Sequence, residues 1–90
     1  MEKVALSELK FIEGMGDYRR IHTTQKKIMT LQTFKELEEE LKDTNLLRVH
    51  KSYMVNLDFI EGIERDRILI GKELIPISET YRKEFYERIR

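Results

Sequence analysis

Hydrogen-bond donors and β-forming residues are interleaved over nine consecutive positions, Arg48-Val49-His50-Lys51-Ser52-Tyr53-Met54-Val55-Asn56. Val49, Tyr53 and Val55 favour a strand, while Arg48, His50, Lys51, Ser52 and Asn56 donate to anions or to the edges of bases. A donor-rich bend between two short apolar strands is chemically suited to reading a polyanion. The same residues equally describe a polar hairpin turn with a buried tyrosine, because turns are polar for conformational reasons alone.

Other chemistry has less to stand on. Glu13 and Asp17 are carboxylates close enough in sequence for acid–base work, and His50 beside Lys51 has the type of a general base. No nucleophile joins them, however, and a 90-residue β domain offers little volume for a substrate cleft, so an enzyme is not expected. A lone histidine is more often a structural hydrogen-bonder. Without cysteine, and with only His22 and His50, the chain has neither disulfides nor the donors of a usual zinc site, and no metal or cofactor is expected. Gly14-Met15-Gly16-Asp17 lacks the third glycine and the Lys-Ser/Thr of a phosphate loop and reads as a turn. Tyr18, Tyr53, Tyr81 and Phe85 could stack on unpaired bases, or fill a core.

The chain carries 17 Lys+Arg against 17 Asp+Glu, so distribution matters more than the sum. Basic side chains gather at Arg19-Arg20, Lys26-Lys27 and Arg48 to Lys51; acids gather at Glu36, Glu38, Glu39, Glu40 and Asp43. The longest apolar runs fall far short of the roughly 20 residues needed to span a bilayer, and no signal-peptide core follows Met1. A soluble, cytoplasmic single domain over 1–90 is expected.

The elements that would position these residues are short. Residues 1–6 lead in and offer an edge strand through Val4 and Leu6. A strand over 8–13 alternates Leu9 and Phe11 with charged neighbours. Residues 18–23 and 26–31 form a basic hairpin with Ile21, Ile28 and Leu31 turned inward. Thr33-Phe34-Lys35-Glu36 is a capping box, predicting a helix to about Lys42 that buries Phe34, Leu37 and Leu41 and leaves its acids in water. Phosphates would repel that acidic face, which argues against a groove-inserted recognition helix. Strands follow at 60–64, 67–70 and 73–77, with turns at Arg65-Asp66 and Gly71-Lys72. Ser78 caps a short last helix carrying Tyr81, Phe85 and Ile89 on one stripe. The expected fold is mainly β: small antiparallel sheets with one or two short helices.

Several of these blocks, taken together, have a familiar order. Phe11-Ile12-Glu13-Gly14, Gly16-Asp17-Tyr18, Ile21-His22-Thr23, Leu31, Phe34-Lys35-Glu36-Leu37-Glu38, residues 48–57 and Ile75-Pro76-Ile77-Ser78 resemble the LytTR family, the DNA-binding domains of LytR/AlgR-type bacterial response regulators. The likeness covers about residues 5–89, and the His-Lys-Ser-Tyr-x-Val-Asn block is its most specific part. It implies an elongated stack of small sheets that reads double-stranded DNA with inter-strand loops in successive major grooves, usually at paired direct repeats. A second copy on the DNA and a receiver domain upstream are implied partners; a membrane is not.

Carried onto this chain, the implied reading positions are Asp17 with its neighbours Gly16 and Tyr18, then Lys51, then Glu79. Lys51 suits guanine O6/N7, and Asp17 suits a cytosine amino group or an Asx turn. Glu79 departs from the arginine frequent in the family, so that the last loop reads a different base or cedes a backbone contact to Arg82 and Lys83. Arg19, Arg20, Lys26, Lys27, Arg48 and Ser52 are phosphate candidates, while His50 and Asn56 are assigned to architecture. Two alternatives stay open: a protein-interaction module docking a basic partner through the acidic helix over 36–43, and a reader of RNA or unpaired strands.

Overall fold

Alternation of apolar and polar residues builds most of the molecule, and two β-bulges decide which face each strand buries. The computed structural model describes residues 4–90. Strands β1 (Leu9–Met15), β2 (Tyr18–Thr23), β3 (Lys27–Thr30), β4 (Leu46–His50) and β5 (Tyr53–Asn56) form an antiparallel sheet in the order β3-β2-β1-β5-β4. Strands β6 (Gly62–Glu64), β7 (Arg67–Ile70) and β8 (Glu73–Pro76) form a second, three-stranded sheet. Helix α1 (Phe34–Glu40) links β3 to β4, and α2 (Glu79–Ile89) closes the chain. No helix among the described residues is long and apolar enough to cross a membrane.

The five-stranded sheet is buried on both faces. One face carries Leu9, Ile12, Ile21, Leu46 and Met54 against Phe34 and Leu37 of α1. The other carries Phe11, Leu47, Val49 and Val55 against Ile68, Ile70, Ile75 and Ile77 of the small sheet region and Phe85 of α2. A simple alternation would set Leu9 and Phe11 on one face. Instead the β1–β2 register shifts between them, so Lys10 is the extra residue of a bulge, and Leu9 shares its face with Ile12. A second shift between Arg48 and His50 makes Val49 the extra residue of β4.

Several expectations are met and several corrected. The capping box forms: the Glu36 amide donates to Thr33 Oγ1 (3.1 Å) and the Thr33 amide to Glu36 Oε1 (2.8 Å). These bonds hold the Glu36 carboxyl below its ordinary pKa, the Thr33 amide first and its hydroxyl second. Of the edge strand expected over 1–6, residues 1–3 lie outside the described residues; Val4 has no strand pairing, and Leu6–Glu8 is a 3-10 turn. That turn is tied to β5 by the buried Asn56, whose Nδ2 donates to the Leu9 carbonyl (2.8 Å) and the Leu6 carbonyl (3.2 Å). Leu31 is 66% exposed rather than inward, because β3 ends at Thr30 before the chain turns to α1. Helix α1 stops at Glu40, two residues early. Ser78 occupies the N-cap of α2 without a side-chain cap bond, and Ile89, in the last turn, is exposed.

Candidate nucleic-acid interface

The β4–β5 turn is two residues long, Lys51-Ser52, and the bulge at Val49 brings Arg48 beneath it. Arg48 Nε donates to the His50 carbonyl (2.7 Å), Nη2 to the Lys51 carbonyl (2.6 Å) and Nη1 to Glu38 Oε1 of α1 (2.6 Å). Its guanidinium lies 4.3 Å from the centre of the Phe34 ring and 5.6 Å from that of Tyr81, so one side chain joins the turn to both helices. Arg48, expected to meet a phosphate, is thus spent on holding the turn from behind, with its side chain only 15% exposed. His50 and Ser52 complete the clamp, since the Ser52 amide donates to His50 Nδ1 (3.0 Å). That bond makes Nδ1 the unprotonated nitrogen whenever the ring is neutral.

Two backbone bonds then gather the other loops. The Gly14 amide donates to the Ser52 carbonyl (2.8 Å), which lays the β1–β2 turn, Gly16-Asp17, beside Lys51. The Ser78 amide donates to the Val49 carbonyl (2.9 Å), which brings the start of α2, with Glu79, to the same end. At Gly14 a Cβ would stand 3.1 Å from Phe34 Cε2, so a side chain there would ask the ring to give way by a few tenths of an ångström. Gly16 takes a positive φ of 61° at the corner of its turn. Arg19 also reaches Phe34, with its guanidinium 5.7 Å from the ring centre and Nη2 donating to the Asp17 carbonyl (2.5 Å). Phe34 is therefore a platform for two arginines.

The structure brings Asp17, Tyr18, Arg19, Lys51, Ser52 and Glu79 to one end of the large sheet. Lys51 is exposed and its ammonium has no partner among the described residues. Glu79 and Lys83 are exposed on α2, whereas Arg82 faces Asp66 (3.4 Å). Arg20 lies against Glu13 (3.5 Å), across the β1–β2 ladder. The structure does not bring Lys26 and Lys27 to this end, because the β2–β3 turn lies at the opposite end of β2. The acids of α1 are engaged within the molecule: Glu36 in the cap, Glu38 with Arg48, Glu39 with Lys42 (3.0 Å) and Glu40 with Gln32 (2.8 Å).

Phe34, Glu38 and Gly14 have roles that sequence reasoning missed. Phe34 and Glu38 read as the two faces of an amphipathic helix, and Gly14 as part of a loose turn. A buried aromatic opening α1, four residues before an acid and fourteen before an arginine, was the available signal for Phe34. Nothing in the sequence marks Gly14 as a contact between strand and ring.

Two antiparallel sheets, two short helices and inter-strand turns held from behind define a mainly-β domain whose polar end is made of turns rather than of a helix. Over residues 1–90 the chain matches the LytTr DNA-binding domain, and it belongs to that family. In fold it is similar to the LytTr DNA-binding domain of a methyl-accepting/DNA response regulator from Bacillus cereus (TM-score 0.87, 21% identity, covering 96% of this chain and 84% of that one). It is 35% identical over 54 residues to the sensory transduction protein LytT of Bacillus subtilis, covering 53% of this chain. It is 28% identical over 67 residues to the transcriptional regulatory protein LytR of Staphylococcus aureus, covering 71% of this chain. The matches span 22% and 27% of those two proteins' lengths, about a quarter of each.

Proposed function

We propose that the chain reads duplex DNA in the major groove with the turns gathered at this end, as the effector part of a bacterial transcriptional response regulator. The observation that carries the reading is the Arg48 clamp: it fixes the backbone on both sides of Lys51 while leaving the Lys51 ammonium exposed. A pre-set turn backbone loses little freedom on binding, and the ammonium it carries suits guanine O6/N7. Asp17 and Glu79, carboxylates at the flanking loops, suit cytosine amino groups, which only accept-type side chains can read. Arg19, Ser52 and Lys83 would set register on phosphates, with Arg20 at the margin. Two copies on paired direct repeats, and a receiver domain upstream, belong to the same proposal.

In vitro selection from a random duplex pool, followed by anisotropy at about 150 mM salt, tests it. An enriched motif containing guanine, whose preference at that guanine is erased by Lys51→Ala, is the expected result. Uniform, salt-sensitive binding of every duplex, unchanged by Lys51→Ala, would remove the turn from the interface.

A further inference from the structure

The other end of the large sheet carries a second concentration of charge. Lys10, Lys26, Lys27 and Lys72 line a single cleft of about 400 Å3 between the β2–β3 turn and the β7–β8 turn, with Glu73 as the one acid on its wall. Phe11 and His22, both buried and stacked at 4.1 Å, form its floor with Ile70. Both walls are fixed. Thr23 Oγ1 accepts from the Gln25 amide (3.3 Å) and the Lys26 amide (2.9 Å) and donates to the Lys26 carbonyl (2.8 Å), while the Thr24 amide donates to the Glu8 carbonyl (2.9 Å). Across the cleft the Gly71 amide donates to Glu61 Oε2 (2.8 Å).

Two features separate this cleft from a chance grouping of surface lysines. Lys10 is the extra residue of the β1 bulge, and its side chain reaches from the large sheet to the small one, where Nζ lies 3.6 Å from the position a Cβ would take on Gly71. Bulges re-aim side chains, and this one aims an ammonium into the cleft. Ion pairs hold Arg20 to Glu13, Lys42 to Glu39, Arg48 to Glu38 and Arg82 to Asp66. Lys10, Lys27 and Lys72 have no such partner among the described residues, although the chain carries as many acids as bases. Like charges converging on one concavity repel each other and focus a positive potential that an anion relieves.

We infer that this cleft is a second anion site, which takes a ligand bearing at least two linked phosphates. The phosphates come either from a small polyphosphate-type molecule or from a duplex backbone beyond the reach of the reading turns. Only the second source rests on the duplex-reading proposal.

The first measurement uses inorganic pyrophosphate and the 90-residue chain at low ionic strength, by calorimetry and by amide chemical shifts. Saturable binding is expected, with shifts at Lys10, residues 23–27 and residues 71–73. A K10Q/K27Q/K72Q variant, which removes three charges and keeps most of each side chain's length, should bind roughly tenfold more weakly or worse, and K51Q as tightly as the parent. The second measurement compares a duplex trimmed to the selected motif with one extended by a helical turn on each side. If the triple variant lowers the salt slope by about 2–3 on the extended duplex alone, the phosphates are those of the DNA backbone. Lost pyrophosphate binding with both duplexes bound normally assigns a free phosphate ligand. The inference is overturned if pyrophosphate does not saturate, or shifts lysines indiscriminately, and the triple variant binds both duplexes like the parent.

Discussion

The two ends of the five-stranded sheet treat their cations in opposite ways. At the β4–β5 end an arginine is consumed, with three hydrogen bonds and two ring faces around Arg48, and a single lysine beside it is left exposed. At the β2–β3 end the backbone turns are satisfied by Thr23 and Glu61, and it is lysines that line the cleft. A guanidinium has a planar fork that can hold several acceptors in fixed directions, whereas an ammonium is a mobile point charge. The first end is therefore built to hold shape, and the second to hold potential.

The contrast predicts a graded set of effects. Phe85, fully buried, pins α2 and with it Glu79, and Phe85→Ala should cost about 3–5 kcal/mol in urea unfolding. Removing Arg48 should cost about 2–3 kcal/mol by the same measurement, because Arg48→Ala strands two turn carbonyls and the Glu38 carboxylate. Arg48→Lys should recover only part of that, and full recovery would mean that charge rather than the fork holds the turn. Gly14→Ala should lose about 1–3 kcal/mol through the 3.1 Å approach to Phe34, visible as a lower unfolding midpoint.

Lys51→Ala should leave stability within about 0.5 kcal/mol while removing roughly 1–3 kcal/mol of discrimination at one base pair, read by anisotropy on matched and mismatched duplexes. A Lys51→Ala protein that melts early would erase the division between clamp and reader. The smallest effect belongs to Glu36. Its native pKa is depressed by the Thr33 amide and hydroxyl, so its contribution is complete above the ordinary carboxylate range and is lost as pH falls through the native value. Glu36→Gln should flatten the acid side of the stability curve and leave duplex affinity at neutral pH unchanged.

Alternation and turn chemistry made much of this fold legible. The strands over 18–23 and 67–70 were placed as they occur, and the Thr33–Glu36 capping box and the turns at 65–66 and 71–72 follow from local residue types whose bonds stay within four residues. Bulges were not legible. An extra residue at Lys10 or Val49 leaves composition untouched and changes only parity, so Leu9 and Phe11 read as one face and occupy two. Leu31 and Ile89 misled for a related reason: periodicity extends a stripe past the point where the element ends or leaves the core.

At the site, sequence gave the types of residue and little of their division of labour. Arg48 and Lys51 look equivalent as neighbouring cations, and only the arrival of Glu38 from ten residues away, with Phe34 and Tyr81, separates them. Lys26 and Lys27 belong with Arg19 and Arg20 in a one-dimensional reading. An antiparallel hairpin sends them to opposite ends.

The β6–β7 turn, Arg65-Asp66, places two non-glycine residues at positive φ, 51° and 59°. Left-handed backbone costs roughly 1–2 kcal/mol per such residue, and here it coincides with tethers to α2: Asp66 Oδ1 accepts from Tyr86 (2.8 Å), and Oδ2 faces Arg82. The Asp66 carbonyl also accepts from Ile77, next to the Ser78 that begins the helix connection (2.9 Å). Releasing α2 thus also releases a turn that would relax, so the helix and the hairpin tip should exchange amide hydrogens as one cooperative unit. With the Tyr86 hydroxyl raised above its ordinary pKa by its hydrogen bond to Asp66, the tether holds below the ordinary tyrosine range and should be lost as pH rises through the native value, read as faster amide exchange of this unit in alkaline solution. The start of α2, where Glu79 stands, should thus take its local lifetime from the hairpin tip that holds Ile77 beside it.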